Sequence, residues 1–291
     1  MENWQLKQRQ SLPLDAKIVL SQQRIKDWYN HWEGQVYVSF SGGKDSTVLL
    51  HMVRELYPDV PAVFIDTGLE FPEIREFVKS IDNVVWLKPK MLFSDVIKKY
   101  GYPVISKETA QKLDEIRRTK SDKLLNKRLY GDDKGNGKIS EKWKCLIDSP
   151  FKISNKCCNV MKKSPVKIYE RKSGRKPIVG TMAEESSLRT TTYLKHGCNS
   201  FEANRPVSSP MGFWKEKDVW DYMKKFNIPY SKIYDMGYER TGCMFCMFGV
   251  HLEKGENRFQ RMKRTHPKIH NYCMEKLGIK EVLDYIHVDS E

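Results

Sequence analysis

The chain has 291 residues, 51 Lys+Arg against 37 Asp+Glu, a formal net charge of +14 and seven cysteines. With 40% hydrophobic residues and a mean hydropathy of -0.62, it has enough apolar matter for a core and too much for a disordered chain. No apolar run approaches the roughly eighteen residues of a membrane helix, and MENWQLKQRQSLPLDAK lacks the apolar centre of an export signal, so a cytoplasmic location is expected, where cysteines serve metals or thiol chemistry rather than a disulfide framework.

Residues 14–33 carry apolar positions at helical spacing and stop before Gly34. QVYVSF then reads as a buried strand, and SGGKDS leads into TVLLHMVRELY, a helix. AVFIDTG is a second strand, FPEIREFVKSI a helix with Pro in its first turn, NVVWLKP a third strand and IVGTM a fourth. This alternation predicts an α/β three-layer sandwich, Rossmann-like, around a mostly parallel sheet. Residues 106–156 break the rhythm as a polar, charged insert: helix, loop, return to the core. Residues 213–226 predict an amphipathic helix, and 255–286 further helix interrupted near Pro267 and Gly278. The expected organisation is an N-terminal helical segment (1–34), a nucleotide-binding domain (35–212) and a mainly helical C-terminal part (213–291) packed on it.

Ser41, Gly42, Gly43, Lys44, Asp45 and Ser46 stand between a strand and a helix. Glycines there let backbone N–H groups approach an anion, and the helix adds its positive end. The two serines, with Ser39 just before them, add hydroxyls, and Lys44 adds charge. The spacing is not that of the longer GxxxxGK[ST] loop. SGGKDS resembles the PP-loop of the adenine nucleotide α-hydrolase superfamily. Asp66, Thr67 and Gly68, followed by Phe71-Pro72-Glu73, resemble the DTG-x-x-FPE element of the phosphoadenylyl-sulfate (PAPS) and adenylyl-sulfate (APS) reductases. That resemblance implies an adenosine site at the carboxyl ends of the strands, where open α/β sheets bind ligands. Gly180, Ser186 and Arg189 match the family's G-x-R-R-x-x-S-x-x-R segment, but Met182 and Ala183 replace its paired arginines. The resemblance assigns Lys44, Asp45 and Arg189 to catalysis, with ATP or an adenylyl nucleotide and Mg²⁺ as cofactors. The arginine loss removes two anion-binding forks and argues against a sulfate-bearing substrate.

Cys157-Cys158 and Cys243-x-x-Cys246 are four soft ligands that could hold zinc or an iron–sulfur cluster, and spacing does not separate the two. Cys157 to Val166 resembles the CC-x-x-x-K-x-x-P-[LV] signature of the APS reductase branch, whose CC pair and distant CxxC bind one [4Fe–4S] cluster. The resemblance implies that these four cysteines are its ligands and that Lys162 is the lysine beside it. Cys145, Cys198 and Cys273 read as ordinary thiols. The reductases' catalytic cysteine lies in a C-terminal ECG-type motif, which VLDYIHVDSE does not contain.

The insert and RFQRMKRTHPK (258–268) are cationic, though opposite charges dilute the insert. Three functions follow. The preferred one is ATP pyrophosphatase-type adenylation with sulfur transfer, on a nucleic acid such as tRNA or DNA, served by a thiol or sulfur-donor protein. The second is sulfonucleotide reduction, and the third a nucleotide- and redox-sensing regulator. Relatives of this kind often form homo-oligomers.

Overall fold

A computed structural model describes residues 1–290. Its strands are β1 (Val36–Ser39), β2 (Ala62–Ile65), β3 (Val84–Leu87), β4 (Val104–Ile105), β5 (Lys176–Val179), β6 (Asn199–Ser200), β7 (Val207–Ser208) and β8 (Met247–Phe248). The chain divides into two units. The first comprises Met1–Asp66, Phe71–Leu87 and Val166–Thr241; the second comprises Thr67–Glu70, Lys88–Pro165 and the chain from Gly242. The two units interleave in sequence.

The first unit holds a six-stranded sheet in the order β3-β2-β1-β5-β7-β6. Every pairing is parallel except β6 with β7, and helices cover both sides. This is the expected α/β architecture. Val36, Tyr37, Val38, Ala62, Val63, Phe64 and Ile178 are buried, as continuous β-branched and aromatic runs in a covered parallel sheet should be. The helices Leu14–His31, Lys44–Leu56 and Pro72–Lys79 fall where the periodicity puts them. Glu216–Lys225 is also helical, and Trp214 and Tyr222 are buried in this unit's core.

The strand order sets the position of the site. β1 pairs with β2 on one side and β5 on the other, so the connections leaving β1 and β5 diverge there. Such a switch point opens a crevice at the carboxyl ends of the strands. SGGKDS leaves β1, and Gly180 leaves β5.

The second unit is mainly helical, with one short parallel pair, β4 with β8. Its insert is more ordered than a helix and a loop. It contains the helices Lys107–Arg118 and Asp122–Leu129 and a helical turn at Glu141–Asp148. One side chain ties it together. Arg117 donates to the carbonyls of Leu146, Ile147, Ser149 and Phe151 at 2.7–3.0 Å, and to Ser149 Oγ at 2.7 Å. The later helices Arg258–Thr265, Pro267–Asn271 and Ile279–Tyr285 break near Pro267 and Gly278 as the sequence predicts. No helix among the described residues is long and apolar enough to cross a membrane.

Candidate functional site

Ser41–Ser46 forms a self-bonded turn at the start of the helix Lys44–Leu56. Ser41 N–H donates to Ser46 Oγ at 3.1 Å, and Ser46 Oγ donates to the Gly43 carbonyl at 2.9 Å. Gly42 must be glycine for two reasons. Its φ is +72°, and a Cβ there would stand 2.8 Å from Val78 Cγ2 and 2.9 Å from Ile74 Cγ2. Lys44 is 4% exposed. Its Nζ donates to the Glu239 carbonyl at 2.9 Å and pairs with Glu216 at 3.0 Å, between the rings of Trp220 and Tyr234. Its backbone N–H donates to Tyr234 Oη at 2.8 Å. Sequence reading missed these partners, because they lie about 190 residues away in a segment without a phosphate-loop signature.

Gly180 packs on this loop: a Cβ on it would lie 3.0 Å from the Asp45 carbonyl oxygen. Ser186 Oγ caps the helix Ser187–His196 by accepting from Arg189 N–H at 3.3 Å, and the Arg189 guanidinium pairs with Glu185. Burial pushes the Asp45 carboxyl up, against the pull of Lys44, and Glu216 adds to the rise. Asp45 Oδ1 is buried without a hydrogen-bond partner. An orphaned anionic oxygen of this kind fits a cation such as Mg²⁺. Asp66 is buried at the end of β2 and pairs with Arg75 at 2.9 Å. Met182 and Ala183 are 3% and 2% exposed. They fill this part of the first unit with apolar volume where a pair of arginines would project charge.

In the second unit, Thr67 donates to Glu70 through both its N–H (3.0 Å) and its Oγ1 (2.7 Å), and Gly68 has φ +74°. Cys157, Cys158, Cys243, Cys246 and Lys162 line one small cavity with Leu69, Phe93, Pro103, Met161 and Phe245. Thus 84 residues of separation close around four sulfurs. Cys157 and Cys158 are 4.0 Å apart. A hydrogen bond from Cys157 holds the Cys158 thiol down to about 6, helped by Lys107 and Lys162, while burial pushes Cys246 up to about 11. Burial opposes the charge on Lys162, yet Cys243 and Glu70 outweigh it and raise its pKa. Among the described residues no three His, Cys, Asp or Glu side chains stand at metal-binding distances. The donor chemistry nonetheless fits a thiolate-ligated cluster: four sulfurs, a buried cation and an otherwise apolar wall. Cys198 and Cys273 are buried, whereas Cys145 is exposed. The cationic stretch at 258–264 is only partly neutralised, with two glutamates paired against its four cations. Arg258 pairs with Glu253, and Arg261 and Arg264 pair with Glu256.

An adenosine 5'-phosphosulfate reductase of Geobacillus kaustophilus is 26% identical over 251 residues, covering 84% of this chain and 86% of the relative. An uncharacterized protein of Methanocaldococcus jannaschii is 26% identical over 261 residues, 87% of this chain but 51% of the relative, so the chain spans about half of that protein. A solved phosphoadenylyl-sulfate reductase of Candida auris covers 80% of this chain and 96% of its own at 18% identity and a TM-score of 0.46, too distant to bear on the site. The phosphoadenosine phosphosulfate reductase domain profile matches residues 35–127 and 105–248. Because that match runs from β1 past Cys246, through the phosphate loop and both cysteine pairs, the chain belongs to the phosphoadenosine phosphosulfate reductase domain family.

Proposed function

We propose that this chain is an adenine-nucleotide enzyme that binds ATP on the Ser41–Ser46 loop and cleaves it between the α- and β-phosphates. It adenylates an acceptor oxygen so that sulfur can replace it. The observation that carries this reading is the pairing of an intact phosphate loop with the buried Met182-Ala183 step. The first suits a polyphosphate, and the second withdraws the arginines that a sulfonucleotide would need.

In this reading the loop amides and Lys44 Nζ hold the departing pyrophosphate, stabilising charge that grows in the transition state. Asp45 would hold Mg²⁺ through its unpartnered oxygen, the ion supplying charge to the phosphates when bound, and Arg189 would leave Glu185 to neutralise the α-phosphate. Gly180 keeps the loop in register. Cys157, Cys158, Cys243 and Cys246 would hold a [4Fe–4S] cluster beside Lys162, and such a cluster supplies sulfur binding or electron transfer when present. The net charge of +14 favours a polyanionic acceptor such as tRNA or DNA.

A second reading, APS reduction, draws on relatives of that name that span most of the chain. Anaerobic protein incubated with ATP and tRNA or DNA should release AMP and pyrophosphate. Sulfite release from APS with a thiol reductant, without pyrophosphate from ATP, would establish the second reading instead. No turnover of either would leave nucleotide sensing.

A further inference from the structure

Residues 234–241 run along the phosphate loop of the first unit and occupy its donors. Tyr234 Oη accepts the Lys44 amide hydrogen at 2.8 Å, and the Glu239 carbonyl accepts from Lys44 Nζ at 2.9 Å. Thr241 reaches Gly43 so closely that a Cβ there would lie 2.6 Å from Thr241 Oγ1. These amide and ammonium groups are the ones an anion takes at a helix N-terminus. Tyr234 Oη therefore marks a place for an anionic oxygen. Arg240 sits between two residues that touch the loop, so the chain itself holds it at this place.

The charges of Lys44, Arg189 and Arg240 all act on the Asp45 carboxylate, opposed by Glu216. Lys44 is neutralised by Glu216 and Arg189 by Glu185. Arg240 is exposed and has no carboxylate within salt-bridge range among the described residues. A guanidinium left without a counter-ion beside two like charges is arranged for an incoming anion.

We infer that Arg240 is a phosphate-binding residue of this chain, gripping the polyphosphate of the nucleotide as the Tyr234 hydroxyl gives up the Lys44 amide. This rests on the adenine-nucleotide reading above. It goes beyond that reading in making the 234–241 segment part of the binding site.

Titration calorimetry with ATP, AMP and adenosine tests it on wild type, Arg240→Gln and Lys44→Ala. Arg240→Gln should weaken ATP about ten- to a hundredfold, the loss of one charge-assisted fork. Adenosine affinity should be unchanged, and the salt dependence of ATP binding should flatten. Wild-type affinity for ATP in Arg240→Gln, with Lys44→Ala impaired, overturns the role of Arg240 and leaves the nucleotide reading intact. Equal losses for ATP and adenosine also overturn it, because the effect is then not on phosphate. If wild type binds none of the three, the nucleotide reading falls and this inference with it. If Arg240→Gln does not fold, phenylglyoxal labelling of wild type decides. ATP should shield Arg240 and adenosine should not; equal labelling with and without ATP overturns the proposal.

Discussion

Gly180 and Asp45 meet backbone to backbone: a Cβ on Gly180 would stand 3.0 Å from the Asp45 carbonyl oxygen, 3.1 Å from its carbonyl carbon and 3.3 Å from Ser46 N. The residue after β5 thus sets how far the phosphate loop can sit from the sheet. Backbone cannot rotate away as a side chain can. Gly180→Ala should displace Asp45 and Ser46 by a few tenths of an ångström and destabilise the fold by about 1–3 kcal/mol. ATP affinity, measured by calorimetry, should fall more steeply than the melting temperature suggests. Unchanged affinity with lowered stability would show that the contact is only structural.

Asp45 links the loop to the pH dependence of stability. Its carboxyl is raised chiefly by burial, so the folded chain holds this proton more tightly than the unfolded one does. The sign follows from linkage. Stability from this group is greatest below the ordinary carboxylate range and declines as pH rises through the folded value. Asp45→Asn removes the buried charge and should raise the melting temperature at pH 7. Below the carboxylate range the variant and wild type should converge. ATP turnover should be lost at every pH. A variant less stable at pH 7 would contradict this account.

Arg117 is the tie of the insert in the second unit, with five donor contacts to residues 146–151. Lysine keeps the charge but not the fork. Both Arg117→Lys and Arg117→Ala should therefore orphan several carbonyls and cost about 2–3 kcal/mol. Hydrogen exchange should quicken across residues 141–151 before it does across β1. Uniform exchange in both regions would show that the tie does not govern local order.

The cysteines divide by environment. Alanine at Cys157, Cys158, Cys243 or Cys246 should lower iron and acid-labile sulfide after anaerobic reconstitution, while Cys145→Ala should not. Zinc without sulfide in the wild type would replace the cluster by a zinc site. Cys273 is fully buried, and burial alone pushes its thiol up. Such a thiol is a poor nucleophile. Cys273→Ala should keep its turnover, and in native protein alkylation should reach Cys145 well before Cys198 or Cys273.

Much of the sheet was legible in sequence because its signals are local. Val36–Ser39, Ala62–Ile65 and Val84–Leu87 are short apolar runs, and Gly42 and Pro72 punctuate them. The two-residue strands β4, β6, β7 and β8 were not legible. Two residues cannot display a period, and only their partners make them strands.

The sequence alone determined which residue types stand where chemistry is expected: a loop of glycines, serines and Lys44, and four cysteines in two pairs. It did so because residue type and short spacing are local properties. The tertiary structure decided their company. The strand order brought Gly180 onto Asp45. The second unit gathered Cys157 and Cys158 with Cys243 and Cys246 around Lys162. The segment at 234–241 came to lie on Lys44. These contacts join segments from 85 positions apart (Cys158 to Cys243) to 195 positions apart (Lys44 to Glu239), and no local pattern encodes such a distance. They form because burying the apolar faces of the strands and helices permits only a few arrangements of the chain.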